Sequence, residues 1–206
     1  MVVQDRARRT YEAILDAAAE EFVALGYARA TLGGVIAHTE LTKGALYGHF
    51  SSKEELARTL IRHGAAVWAR ILSDLDTTRL APLQALHRLT VRLACEVWAD
   101  VRVRAAVRLA SEMPQDTAHD GRLLTEIWGS LVQGAARARA AGEIRMSCSP
   151  ESVAQLLLSL VFGFQLVPPA QRAPSVRDRI EDLWRIVAQA LHDPDSRARE
   201  SVARGG

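Results

Sequence analysis

Apolar residues recur at every third or fourth position along nearly all of this 206-residue chain. No stretch alternates with the period of two that a half-buried strand requires. Stripes of that kind can be buried only by packing helix on helix, so the expected fold class is all-α. Tyr11, Ile14, Leu15, Ala18, Phe22 and Leu25 form the first stripe, with Glu12, Asp16, Glu20 and Glu21 off it. Gly26 then supplies the left-handed backbone at which such a helix stops. Two short helices are expected over about 31–38 and 42–49, followed by a long one over about 52–74 that opens on Ser51 and Glu54 as a capping box. Five more are expected near 81–99, 101–112, 121–141, 150–166 and 175–192. Pro82 and Pro150 suit first turns, and Ser149 and Ser175 suit caps. The expected layout is a three-helix head over 1–52 and a six-helix body over 53–193. Residues 194–206 carry little apolar content and read as a disordered tail.

Composition narrows the function classes. A hydrophobic share of 49% with 24% charged residues supports a packed core and excludes wholesale disorder. The longest near-apolar run, 154–167, is broken by Gln155, Ser159 and Gln165. It falls short of the roughly 20 residues of a bilayer span. Arg6, Arg8 and Arg9 are followed by an amphipathic helix rather than the apolar core of a signal peptide, so a cytoplasmic location without membrane contact is expected. Cys95 and Cys148 stand alone, giving neither a disulfide framework nor a metal-binding pair, and no metal or other cofactor is expected. Metalloprotease, nucleophile-elbow and dinucleotide-binding motifs are missing, and Thr42-Lys43-Gly44 has the wrong order for a phosphate loop. His63, His87, His119 and His192 are isolated, so no enzyme is expected.

The sharpest signal is TLGGVIAHTELTKGALYGHF, residues 31–50. Two short helices about three residues apart, with Val35, Ile36, Leu41, Leu46 and Phe50 turned inward, have the spacing of a helix-turn-helix whose second helix enters the major groove. With Thr42 as its cap, Lys43, Gly44 and Tyr47 share one exposed face. Gly44, Ala45 and Gly48 keep that helix slim at about 1 kcal/mol of propensity for each glycine. The alternative, a poorly formed helix in a loop, leaves that composition without a purpose. Thr31 stands where its hydroxyl and the free amides of a helix start can meet a phosphate. Lys53 lies in the first turn of the next helix, where the macrodipole disfavours a cation and an adjacent phosphate would reverse the sign. Residues 1–60 hold 7 basic against 8 acidic side chains, so the head works through local placement rather than bulk charge.

This region resembles the TetR family of bacterial transcriptional repressors. The matching pieces are Ile14-Leu15-Asp16-Ala17-Ala18, Phe22, Gly26-Tyr27, Thr31, Ile36-Ala37, Thr42 through Tyr47, His49-Phe50 and Ser52 through Leu56. The resemblance implies a DNA-binding head with Thr42, Lys43, Gly44, Tyr47 and His49 near the duplex and Lys53 on phosphate. It also implies homodimers on a pseudo-palindromic double-stranded operator. Glu40 departs from it, standing where the family usually has glycine. A left-handed backbone there would carry about 1 kcal/mol of strain.

The body is less specific. Residues 150–166 are apolar nearly all round, and 175–192 carry a three-four stripe. Crossing their symmetry mates, two such helices would make a four-helix interface through Leu157, Val161, Phe164, Ile180, Leu183, Trp184 and Val187. As ordinary core helices they would instead face inward. Residues 101–167 are similar to the γ-butyrolactone receptors within the TetR family, through Val103 to Leu109, Trp128, Gly142-Glu143-Ile144, Gly163 and Gln165-Leu166. That similarity implies a pocket for a small signalling molecule lined by Trp128, with Leu86, Leu131 and Phe162 beside it. Leu86, Leu131 and Arg145 stand where polar or aromatic contacts to a ligand head would be expected. The expected effector is therefore small and hydrophobic or butyrolactone- or butenolide-like, and the regulated genes those of antibiotic or secondary metabolism. A pseudo-receptor answering to an antibiotic, an efflux-pump regulator and, more remotely, a helical lipid-binding protein without DNA binding are the other readings.

Overall fold

The computed structural model describes residues 2–39, 41–76, 80–113, 122–163 and 175–192. Among these residues there are nine helices and no strand. They are α1 (Val2–Arg29), α2 (Leu32–Ala37), α3 (Lys43–Tyr47), α4 (Lys53–Asp76), α5 (Pro82–Ala99), α6 (Val101–Glu112), α7 (Arg122–Ala140), α8 (Pro150–Gly163) and α9 (Val176–Leu191). Gly26 is left-handed at φ 75°, and one further helical turn follows it to Arg29. The expected tail, Glu40, Phe164 and Gln165-Leu166 lie outside the described residues.

The side-chain cap of α4 sits one residue later than the sequence pattern predicts. Ser52 Oγ accepts from the Glu55 amide at 3.1 Å, and the Glu55 carboxylate accepts from the amide and hydroxyl of Ser51 at 2.7 and 2.8 Å. In Ser51-Ser52-Lys53-Glu54-Glu55 both registers satisfy the motif, and Glu54 turns instead to Arg58 at 2.8 Å. Hydrogen bonds from Ser51 hold the Glu55 carboxyl below the usual carboxylate range.

The chain forms two compact units, and the expected divide after residue 52 is not where they part. The first unit comprises residues 1–70 with 97–125. Its core joins Ile14, Phe22, Leu46, Leu56 and Leu60 to Ala105 and Leu109 of α6. Polar links reinforce the seam between α1 and α6. Arg102 pairs with Asp16 at 2.6 Å and with Glu12, Arg108 donates to the Val23 carbonyl, and the Tyr27 amide donates to Glu112 at 2.6 Å. Gly64 lets α4 lie close on α6, since a Cβ there would come within 2.6 Å of the Ala106 Cβ.

The second unit comprises residues 71–96 with 126–206. Its buried residues include Leu86, Ile127, Leu131, Val153, Leu157, Val161, Ile180, Trp184 and Val187. This corrects the expected dimer surface. Leu157, Val161, Ile180, Trp184 and Val187 are enclosed by their own chain and serve as core, because the three-four stripe marks the inward face of each helix. Of the named residues that are described, Leu183 alone keeps substantial exposure, at 37%, and Leu156 and Ile186 join it at 43% and 64%. Arg145 is likewise engaged. Its amide donates to the Leu191 carbonyl at 3.0 Å and its Nε to the His192 carbonyl at 2.7 Å, so it satisfies the C-terminal carbonyls of α9.

Candidate nucleic-acid interface

The exposed face of α2 and α3 is assembled by two threonine caps and one apolar anchor. Thr31 Oγ accepts from the Gly34 amide at 2.9 Å and starts α2; Thr42 Oγ accepts from the Ala45 amide at 3.2 Å and starts α3. Helices of six and five residues are too short to persist alone, so these caps and the contacts beneath them hold the shape. Val35, Leu46 and Phe50 are buried, and the Phe50 ring stacks on Tyr11 of α1 at 5.1 Å.

With Leu46 and Phe50 turned inward, Thr42, Lys43, Gly44, Tyr47 and Gly48 are all exposed. Tyr47 shows 49% of its surface, an unusual amount for an aromatic residue with no partner in a core. The Lys43 ammonium lies 5.8 Å from the centre of its ring. His49 is half-buried, edge-on to Tyr11 at 6.0 Å, which puts it at the margin of this face. The face thus offers a hydroxyl, a cation, a phenol and two glycines that let the helix backbone approach closely. These are the groups that contact phosphates and base edges in a major groove.

Two predicted phosphate contacts are employed differently. Lys53 turns toward the end of α1, where its ammonium donates to the carbonyls of Tyr27 at 2.7 Å and Ala30 at 3.0 Å and lies 4.6 Å from the Tyr27 ring centre. The cation in the first turn of α4 is therefore compensated by carbonyl dipoles within the protein, and one ammonium proton remains. The Thr31 amide donates to Glu21 at 3.2 Å, and its hydroxyl serves the cap, although the residue itself is exposed. Glu21, placed on the solvent side by the periodicity of α1, is in fact 4% exposed. Its carboxylate lies 3.3 Å from His38 Nε2, so one acid ties α1 to both ends of α2. Nothing in the spacing of α1 announces that role.

Arg6, Arg8 and Arg9 are exposed on the first turns of α1. Arg8 precedes Tyr11 by one helical turn and so shares the side that packs against His49 and Phe50. It is an exposed cation on the Tyr11 side of α1 that the motif alone does not single out.

The residues expected to line an effector pocket all belong to the second unit, Leu86 and Leu131 fully buried, Trp128 and Phe162 half-buried. Leu86 packs against α7, its Cδ1 3.0 Å from where a Cβ at Gly134 would stand. Among the described residues no helix is long and apolar enough to cross a membrane, and no group of three His, Cys, Asp or Glu could hold a metal.

Residues 14–60 match the model of the bacterial regulatory proteins of the tetR family. The A-factor receptor protein of Streptomyces griseus is 28% identical over 207 residues, covering 94% of this chain and 68% of the relative. A solved gamma-butyrolactone receptor, an ArpA-like protein, is 31% identical with a TM-score of 0.75, covering 94% of each chain. The TetR family protein CprB from Streptomyces coelicolor, solved in complex with its biological operator sequence, is 30% identical with a TM-score of 0.75 and the same coverage.

Proposed function

This chain belongs to the TetR family of bacterial regulatory proteins, and from that membership we propose a ligand-released repressor that grips a pseudo-palindromic operator as a homodimer. The carrying observation is the exposed face of α3, where Lys43 and Tyr47 stand clear of the core between the Thr42 cap and two glycines. Thr42, Gly44 and Tyr47 contact bases or the adjoining backbone, Lys43 and Arg8 contact phosphate, Thr31 and His49 flank the strand, and Lys53 positions the head. Two such faces spaced one helical turn of DNA apart, about 34–36 Å, read two half-sites.

Leu156 on α8 with Leu183 and Ile186 on α9 form the homodimer contact, because apolar side chains this exposed on one chain want a matching copy. The effector is small and hydrophobic or butyrolactone- or butenolide-like, received near Trp128, and the regulated genes are those of secondary metabolism, as the A-factor and gamma-butyrolactone receptors suggest. The fully apolar character of Leu86 and Leu131, with Arg145 committed to α9, favours the hydrophobic end of that range. Catalysis has no part in this reading, and the site of action is the cytoplasm.

Release is a shift between two states. Effector binding favours a dimer whose reading helices no longer match the groove spacing, and DNA must then weaken effector binding by the same factor. Moving from 99:1 to 1:99 needs about 5.5 kcal/mol of differential affinity per dimer, within reach of two pockets. The test is selection of operator sites from fragmented genomic DNA by the purified protein, followed by release with organic extracts. Enrichment of a two-fold symmetric sequence supports the proposal, and uniform retention of all fragments at moderate salt overturns it. Trp128→Ala should keep operator binding and blunt release.

A further inference from the structure

A groove of about 640 Å³ opens in the second unit between the last turns of α4, one face of α5 and the first turns of α9. Its volume lies within the range of small-molecule sites. Gln84, His87, Arg88, Val91 and Arg92 line it from α5 at intervals of three and four, so a single helix face is presented. Leu86 points elsewhere, and neither it nor Trp128, Leu131 or Phe162 borders the groove, which is distinct from the region assigned above to the effector.

Its chemistry is divided. Ile71, Leu75 and Val91 make an apolar wall, while Arg88, Arg92 and Arg177 are exposed at the polar side. The two acids in the lining are already engaged: Glu181 is 2.7 Å from His87 Nε2, and Asp74 has a partner of its own. Arg92 shares Glu96 at 3.2 Å. Arg88 and Arg177 have no hydrogen-bond or ion-pair partner among the described residues. Arg177 also sits in the first turn of α9, where the helix dipole adds to its charge rather than relieving it. His87 is held flat against Trp184, ring centres 4.8 Å apart, so this wall is braced from behind. Leu183 and Ile186 lie about half a turn around α9 from Arg177 and Glu181, so a dimer built on them leaves the groove open.

We propose that this groove is a second small-molecule site, selective for amphiphilic organic anions. A carboxylate lies between the guanidinium forks of Arg88 and Arg177, whose planar donors fit it bidentately, and an alkyl or aryl body covers Ile71, Leu75 and Val91. The assignment does not depend on operator binding. Titration calorimetry of the full-length chain with octanoate, and with 1-octanol as the uncharged counterpart, tests it. Octanoate should bind at one site per chain at least about tenfold more tightly than 1-octanol, and the double substitution Arg88→Ala/Arg177→Ala should weaken it about tenfold or more. Arg185→Ala, removing an exposed arginine of α9 outside the groove, should leave it unchanged. No octanoate binding, equal binding of the alcohol, or equal loss in the Arg185 variant would overturn the proposal. Arg88 and Arg177 are both exposed, so an unchanged melting curve verifies that the double variant is folded.

Discussion

The Lys53 ammonium donates to the Tyr27 carbonyl at 2.7 Å and so pins the start of α4 to the end of α1, across 26 residues of sequence. A second bond to Ala30 and the face of the Tyr27 ring complete the clamp. Hydrogen bonds to a charged donor contribute about 1.5–3 kcal/mol in all where they are partly shielded from water. Lys53→Met should lower unfolding stability by that order, read as a shift in the urea midpoint at constant slope. A variant as stable as the parent would mean that the clamp contributes nothing.

Tyr47→Ala should abolish detectable operator binding without altering the melting curve, because the side chain is exposed and supports no core. Lys43→Ala should weaken binding to every sequence alike and reduce the slope of log affinity against log salt by about 1, the signature of one lost phosphate contact. Fluorescence anisotropy over a salt series measures both. An unchanged slope would move Lys43 off the phosphates.

The seam between α1 and α6 should loosen in acid. Burial pushes the Glu112 carboxyl up, but Arg108 and the Tyr27 amide more than offset it and hold it below the usual carboxylate range. Asp100 is also depressed, burial being outweighed by His63 and the Arg102 amide. A carboxylate held below its unfolded value stabilises the fold above that value, about 3.9–4.3, and loses the contribution as pH falls through the lower, folded one. Urea midpoints should therefore fall on going from pH 6 to pH 3. Glu112→Gln should lower the midpoint at pH 6 and flatten the profile; an identical profile in the variant would absolve this carboxylate.

Ile186→Asp should convert a dimer to monomers, since it sets a charge at the most exposed apolar position of α9. Sedimentation velocity reports the mass directly. Val187→Asp makes the contrast: Val187 is buried in its own chain, so its loss should unfold the second unit rather than separate subunits.

Much of this architecture is legible in the sequence. The three-four spacing places the described helices after α1 within a few residues, α6 at the expected 101–112 among them, whereas α1 begins at Val2, well ahead of the stripe that opens at Tyr11. Thr42, directly ahead of KGALY, reads as a cap, and the exposed face of α3 follows from the helical repeat. What escaped were relations between distant segments. Periodicity marks the apolar side of α9 but not that this side, Trp184 and Val187 included, is satisfied by its own chain. Nor does it tell that Lys53 faces carbonyls rather than solvent, or that Glu21 is covered by α2. The serine pair before α4 was ambiguous locally, and the contest was decided by Glu54 having Arg58 one turn away.

Ala105 and Leu109 of α6 lie in the same core as Phe22 and Leu46, and this bears on how such a protein can be cut or recombined. A fragment ending at residue 52 would bare the side of α1 that those residues cover and lose the arginine links along it. The DNA-reading part is thus no cassette to be excised whole from one regulator and spliced to another. A chimera that swaps it must carry the 97–113 stretch along, or rebuild a complementary patch on whatever replaces it.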